Sequence, residues 1–535
     1  MPYTFLPVMR FRSARCCATL MAAAIVALTA STGAAQAETT IKAVMHSPLR
    51  LTDPHATTAY ITTWHGYMIY DTLLATDADN AIKPQMLEGW EVSADGKTYT
   101  LTLRDGLMWH DGKPVTAEDC VASINRWAKN DGMGRAVLKL VDKIEVVDAK
   151  SLRIVMKEPT DLALRALAKP TGTAAFMMPK RVADIPVGQP ITDMTGSGPF
   201  KVAEFNPGVK TVYLKNTAYK PRSEPASGLA GGKVVNVDRV EWDVMPDAMT
   251  AANALLGNEV DMVEQFPYDL LPMVEGNPDL KETVISPVGY YVMYRFNFTQ
   301  PPFNNKKIRQ AAMYAVGQEP VMQALVGNPK YWKTCASLWG CDTPFESKIG
   351  AEMTVKSDIP KAQALLKEAG YDGTPVVIMQ ASDLPTIRAQ PVVIAEALRR
   401  AGFKVDLVAM DWQTVATRRT SKAPAAQGGW NIHNTNWYAT DIMDPIRSAP
   451  AAANGDQAWF GWPDFPEIEK LRAQFALASD PAEQKRLAEE VQRVAIDEGL
   501  YVPLGQMSVP TVYSNKITDW VRAPATTFWN VKKAP

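Results

Sequence analysis

Between Lys361 and Met410 helix alternates with strand, and this restricts the fold more than any other stretch of the chain. KAQALLKEAG reads as a helix that stops at Gly370, with PVVIMQ as the strand after it. TIRAQPVVIAEALRRAG is a second helix stopping at Gly402, and KVDLVAM a second strand with Val405, Leu407 and Ala409 on one face. Glycine enters the left-handed region just past a helix end without a Cβ clash, so each of the two marks a stop. This alternation predicts βαβ units and a largely parallel sheet.

Other segments carry equally local signals. LEGWEVSADGKTYTLTLR predicts two strands joined at Asp95-Gly96, with Tyr99, Leu101 and Leu103 alternating against threonines. Thr116 and Asp119 then form a capping box for a helix whose apolar side carries Val121, Ile124 and Trp127. KIEVVDAKSLRIVMK is strand-like, and a short helix lies around Leu162–Ala168. YYVMYRFNF at 290–298 is a further strand, followed by a helix with Ile308, Ala311, Ala312 and Ala315 at helical spacing. A late helix starts at Asp480, with Pro481 at its first position and Glu483 completing a second box.

The N-terminus reads as an export signal. Arg10, Arg12 and Arg15 precede an apolar run from Cys17 to Ala30, too short to span a bilayer, and Ala35-Gln36-Ala37 supplies the small residues of a cleavage site. Glu38, not cysteine, follows that site, so no lipid anchor is expected. Removing 37 residues from 535 leaves 498, more than one core sustains, so two or more domains follow. Without those arginines, 53 basic residues face 57 acidic ones, a net charge of −4, which argues against a nucleic-acid partner. An oxidising compartment predicts a disulfide between Cys335 and Cys341, the alternative being two separate buried thiols. Cys120, inside a helical pattern, reads as an inert packed thiol.

Catalytic signatures are missing. The chain has no GxSxG, HExxH, Walker loop or CxxC, and its five histidines form no i, i+4 pair. No metal or cofactor is therefore expected, and binding is a better reading than catalysis. A secreted hydrolase on an unrelated scaffold stays as a remote alternative.

The segments MLEGWEVSADGKTYTLTLRDGLMWHDGKPVTAEDCVASINR (86–126), TGSGPFKVAEFNPG (195–208), GNEVDM (257–262), FNFTQPPFNNKKIRQAAMYAV (296–316), KAQALLKEAGYDG (361–373) and AEALRRAGFKVDL (395–407) occur in one order. In that order they resemble the extracytoplasmic solute-binding proteins of family 5, the peptide/nickel group of ABC importers. The resemblance implies an α/β, two-lobed periplasmic-binding-protein fold of type II with mixed sheets. It puts 38–75, 190–286 and 504–535 in lobe I, an additional subdomain at 76–189, and lobe II at 287–503. Hinge segments are expected at Ser286–Tyr290 and Leu500–Leu504. It further implies a periplasmic monomer that captures a short peptide or amine-bearing solute and delivers it to ABC permease subunits in the inner membrane. A nickel chelate, an opine or another small solute is the alternative ligand.

In peptide-binding relatives an Asp three residues before an acidic-Pro pair holds the ligand's ammonium group. WYATDIMDP gives that role to Asp441, with Trp437 and Tyr438 as adjacent wall, unless Asp441 only caps a turn. ASDLPTIR lacks an arginine directly at the strand end to grip a ligand carboxylate. Arg388, Arg418 and Arg419 are candidates for that task. His65, Tyr67 and Trp412 are further cleft candidates, and His433 is a lone histidine suited to packing.

Overall fold

Three sheets of four or more strands, with three two-stranded ones beside them, organise residues 38–534, which the computed structural model describes. The expected export signal, 1–37, lies outside the described residues. A seven-stranded sheet runs in the order Phe200–Asn206, Lys210–Lys215, Arg239–Asp243, Thr40–Val44, Met262–Val263, Thr511–Ser514, Leu280–Thr283. Thr40–Val44 is parallel to both of its neighbours, and the outer pairs are antiparallel.

A six-stranded sheet runs Trp332–Lys333, Val502–Met507, Tyr290–Phe296, Ile432–Tyr438, Val376–Ala381, Val405–Met410. The predicted helix–strand alternation is present, and Val376–Ala381 is parallel to both neighbours. The largely parallel sheet is not: the other three pairings are antiparallel. Strands distant from the βαβ segment supply them. Tyr290–Phe296 and Ile432–Tyr438 are buried along their whole length, as central strands covered on both faces must be.

The third sheet, Leu87–Val92, Thr98–Leu103, Ser151–Met156, Val141–Val146, is antiparallel throughout. Its first hairpin turns at Gly96, whose φ of +70° is the left-handed conformation the Asp-Gly pair predicts. Tyr99, Leu101 and Leu103 face inward. The helix Ala117–Asn130 packs on this unit and begins with the Thr116–Asp119 capping box. In the late helix, Pro481–Asp497, the Asp480 side chain accepts from Glu483 N–H, but the Glu483 carboxylate turns to Arg486 instead of completing the box.

The chain crosses between the seven- and six-stranded sheets at 284–289 and 508–510. The first crossing overlaps the expected Ser286–Tyr290. The second lies beyond Leu500–Leu504, because Val502–Met507 stays paired with Tyr290–Phe296 up to Tyr290–Met507.

Cys335 and Cys341 form the expected disulfide, with Cα atoms 5.8 Å apart, and Cys120 is a buried free thiol. Two buried amides hold the bridged loop: Gln318 accepts from Cys335 N–H at 2.7 Å and Gln506 from Cys341 N–H at 2.8 Å.

Candidate functional site

Two cavities lie side by side around Trp437. The larger, about 490 Å³, lies between the third-sheet unit (Asp131, Arg135, Lys169) and residues of the 437–477 segment (Asp441, Arg447, Trp459). The smaller, about 150 Å³, lies between the 46–62 segment and residues 384–437. Thr58 and Trp437 line both, so the Trp437 indole is a partition between them.

Asp441 reaches the larger cavity because the strand Ile432–Tyr438 ends there and passes into a single 3₁₀ turn, Ala439–Asp441. Its neighbour Asp444 does the local capping, accepting from Ile446 and Arg447 N–H at 2.8 Å each. Asp441 is thereby released from the turn role, and its partners come from remote segments. Tyr60 donates its hydroxyl to Asp441 Oδ2 at 2.8 Å, and Thr171 donates its hydroxyl to Oδ1. Tyr60 also accepts from Tyr438 N–H at 2.8 Å, so a single hydroxyl joins the helix Tyr60–Ile69 to the strand Ile432–Tyr438 and to the turn after it. Burial pushes the Asp441 carboxyl above the usual range, against the opposing pull of Lys169, Thr171, Tyr60 and Arg447. A carboxylate desolvated in this way, with one lone pair left on each oxygen, is a strong partner for a buried cation.

Aromatic rings enclose this carboxylate. Tyr438 meets Tyr60 edge-on at 4.6 Å, and Tyr60 stacks on Trp64 at 5.6 Å. Tyr290 donates to the Tyr438 hydroxyl at 2.7 Å and accepts from Gln265 at 2.8 Å. Beneath them Glu264 accepts from Trp64 Nε1 and His46 Nδ1, both at 2.7 Å, and from the Thr526 hydroxyl. Burial acts to raise the Glu264 carboxyl, but the charge and hydrogen bonds of His46 with the Thr526 bond outweigh it and hold the group low.

The structure brings Asp441 and Trp437 to the larger cavity and Trp412 to the smaller one, whereas Tyr438 lines neither and packs its ring against Tyr60 and Trp64. His65 and Tyr67 instead point into the core: His65 Nδ1 pairs with the Tyr213 hydroxyl at 2.8 Å, and Tyr67 donates to the Pro170 carbonyl at 2.5 Å. Both lie on the helix Tyr60–Ile69, which is buried on all sides beyond its first residue, so the helix has no solvent face to give them. Arg388 is half exposed, 3.8 Å from Asp269, and Arg418 donates to the Gly428 and Gly429 carbonyls. Neither lines either of these two cavities. His433 is buried and neutral, held far below its usual range by desolvation and then by Arg419 and Arg295.

Sequence reasoning missed Tyr60, Thr171 and Trp459. Tyr60 and Asp441 are 381 positions apart, and no local pattern distinguishes a tyrosine at a helix start from one that spans a cleft.

The profile of the bacterial extracellular solute-binding proteins, family 5 Middle, matches residues 81–459. A probable peptide ABC transporter periplasmic-binding protein of Sinorhizobium fredii is 39% identical over 509 residues, covering 94% of each chain. Among solved structures, the dipeptide-binding protein of Pseudoalteromonas sp. SM9913 in complex with Met-Leu superposes with a TM-score of 0.77 at 20% identity, over 92% of this chain and 100% of that one. The binding protein AgaA of A. tumefaciens R10, in complex with agropinic acid, gives 0.78 at 22% identity, over 93% and 99%. The fold is that of the type II periplasmic binding proteins.

Proposed function

The chain belongs to the bacterial extracellular solute-binding proteins of family 5, and from that premise we propose that it takes up a short peptide, or a peptide-like solute bearing an amine, between two closing lobes. Solute-binding proteins of this family serve ABC importers as transport components, not as enzymes. The solute is handed to permease subunits in the inner membrane, and no bond in it is made or broken. The protein works in the periplasm as a monomer, exported by the 1–37 signal and free of a lipid anchor.

One observation carries this reading: Asp441 is 2% exposed, borders the 490 Å³ cavity, and is approached by hydroxyls from two other parts of the chain. A ligand ammonium in that cavity completes a charge-assisted bond that desolvation strengthens. Trp437 and Trp459 supply flat apolar walls that accept varied side chains. The family's binders of other solutes set the comparison for the test.

Calorimetric titration with di- to pentapeptides tests the reading, alongside their N-acetylated forms, a nickel–histidine chelate and an opine. Free peptides should bind, N-acetylation should abolish binding, and a peptide at a hundred times its Kd should add about 2.7 kcal/mol of stability. Binding of the chelate or the opine but of no peptide replaces the ligand class.

A further inference from the structure

We propose that the larger cavity selects a solute with an acidic side chain, whose carboxylate is taken by Arg447, Arg135 and Lys139 while its ammonium sits at Asp441. The inference rests on the peptide-like reading and narrows it from any short peptide to one bearing a negative side chain. The smaller cavity, which Arg419 faces, has no part in it.

The charge of the wall carries the argument. Arg135, Lys139, Lys169, Arg447 and Arg472 line the larger cavity, against three acids, Asp131, Asp441 and Glu469. Two of these cations are neutralised within the wall. Lys169 pairs with Asp131, which also accepts from the Thr173 hydroxyl. Arg472 pairs with Glu469 and donates to the Pro445 carbonyl at 2.8 Å. With Asp441 reserved for the ammonium, Arg447, Arg135 and Lys139 remain to face the solute.

Arg447 is built into the wall, with a side chain only 9% exposed. Its Nε has no hydrogen-bond partner, and the carboxylate beside it, Asp444 Oδ2, stands 3.6 Å away. The other oxygen, Asp444 Oδ1, is committed to the Ile446 and Arg447 N–H groups. Nη1 meets the Thr440 carbonyl at 3.3 Å and the Met443 sulfur at 2.9 Å. A guanidinium carries five N–H donors, so much of its capacity is unused. Buried donors left unmade are costly, and a carboxylate that meets them replaces that cost with a charge-assisted bond.

Arg135 and Lys139 approach from the other wall. They stand four positions apart on the helix Gly132–Leu140 and so share one face. Arg135 Nη1 donates to the Asn130 carbonyl at 2.9 Å, and among the described residues neither cation pairs with a carboxylate. Asp441 matches the ammonium that every unblocked peptide carries, whereas these cations match a group that only some peptides carry. An acidic side chain brings the filled cavity toward neutrality; a basic one adds like charge where water is scarce and repulsion is strong.

The test uses calorimetry on the intact mature protein with Ala-Glu-Ala, Ala-Gln-Ala and Ala-Lys-Ala, their C-terminal amides, and thermal shift with glutarate. Affinity should fall in the order Glu, Gln, Lys, with Glu at least about tenfold tighter than Gln, and Arg447→Met should bring Glu and Gln together. If Glu and Gln peptides bind the wild type equally, or the variant keeps the preference, the acid pocket is refuted while the peptide reading stands. A preference for free acid over amide without a Glu–Gln difference assigns the anion to the chain terminus, and likewise overturns the proposal. If no tripeptide binds but glutarate raises the melting temperature of the wild type and not of Arg447→Met, the peptide reading fails and the pocket stands. If neither tripeptide nor glutarate binds, both fail. Should Arg447→Met fail to fold, the paired variant Arg135→Gln, Lys139→Gln replaces it, and an undiminished preference for Glu in that protein refutes the pocket.

Discussion

Replacing Asp441 with asparagine should make the ligand-free protein more stable and the binding site worse. The substitution keeps the shape of the side chain and removes its charge. Thr171 and Tyr60 reach it through hydroxyls, which can rotate to donate or accept, so both contacts survive opposite an amide. What changes is the desolvated charge. Burial raises the Asp441 carboxyl above its usual value, so this group's contribution to stability is fully present below pH ~4 and is lost as pH rises through the raised value. The variant should therefore melt above the wild type at pH 7.5, and the gap should close as pH falls toward 4. Binding moves in the opposite direction, because a ligand ammonium would be left buried beside a neutral amide. Truncating one partner of such a pair costs about 2–5 kcal/mol, or roughly 30- to 5,000-fold in Kd. Melting curves of the ligand-free protein from pH 4 to 8, with titrations of the tightest peptide at pH 7.5, check both halves. A variant that melts below the wild type at pH 7.5, or binds the peptide equally well, refutes the argument.

Three further outcomes follow from particular contacts. Tyr60→Phe removes the 2.8 Å bonds to Asp441 and from Tyr438 N–H, about 1–3 kcal/mol of closure; small-angle scattering should give a larger radius of gyration, and an unchanged profile would discard Tyr60 as a latch. Glu264 is held low in the fold, so its stabilisation is present above pH ~4.3 and lost as pH falls through the depressed value. Glu264→Gln should accordingly lower the melting temperature at pH 7 by an amount that narrows in acid, and a gap independent of pH would contradict this. Removing the Cys335–Cys341 bridge, with its sequence separation of 6, should cost about 2 kcal/mol by loop entropy, read as a lower urea midpoint for the paired serine variant. An unshifted midpoint would mean the Gln318 and Gln506 amides hold that loop without the bridge.

What the sequence determined by itself was local. The Asp95-Gly96 turn, the Thr116–Asp119 cap, the helix stop at Gly402 and the Cys335–Cys341 bridge each involve residues a few positions apart, where backbone sterics and short-range hydrogen bonds decide the outcome. Collinear motifs added the family and with it Asp441. The tertiary structure alone decided the direction of the strands that join from far away, the crossing at 508–510, and which side chains face the cleft. His65 and Arg419 make the difference concrete. The polar histidine on the helix Tyr60–Ile69 is sealed in the core against Tyr213, whereas one arginine of an adjacent pair is the buried guanidinium facing the smaller cavity. Nothing in TTWHGY or TRRT distinguishes these fates, because both depend on surfaces brought together over more than a hundred residues of chain. The desolvation that gives Asp441 and Arg419 their chemistry exists only once those surfaces meet.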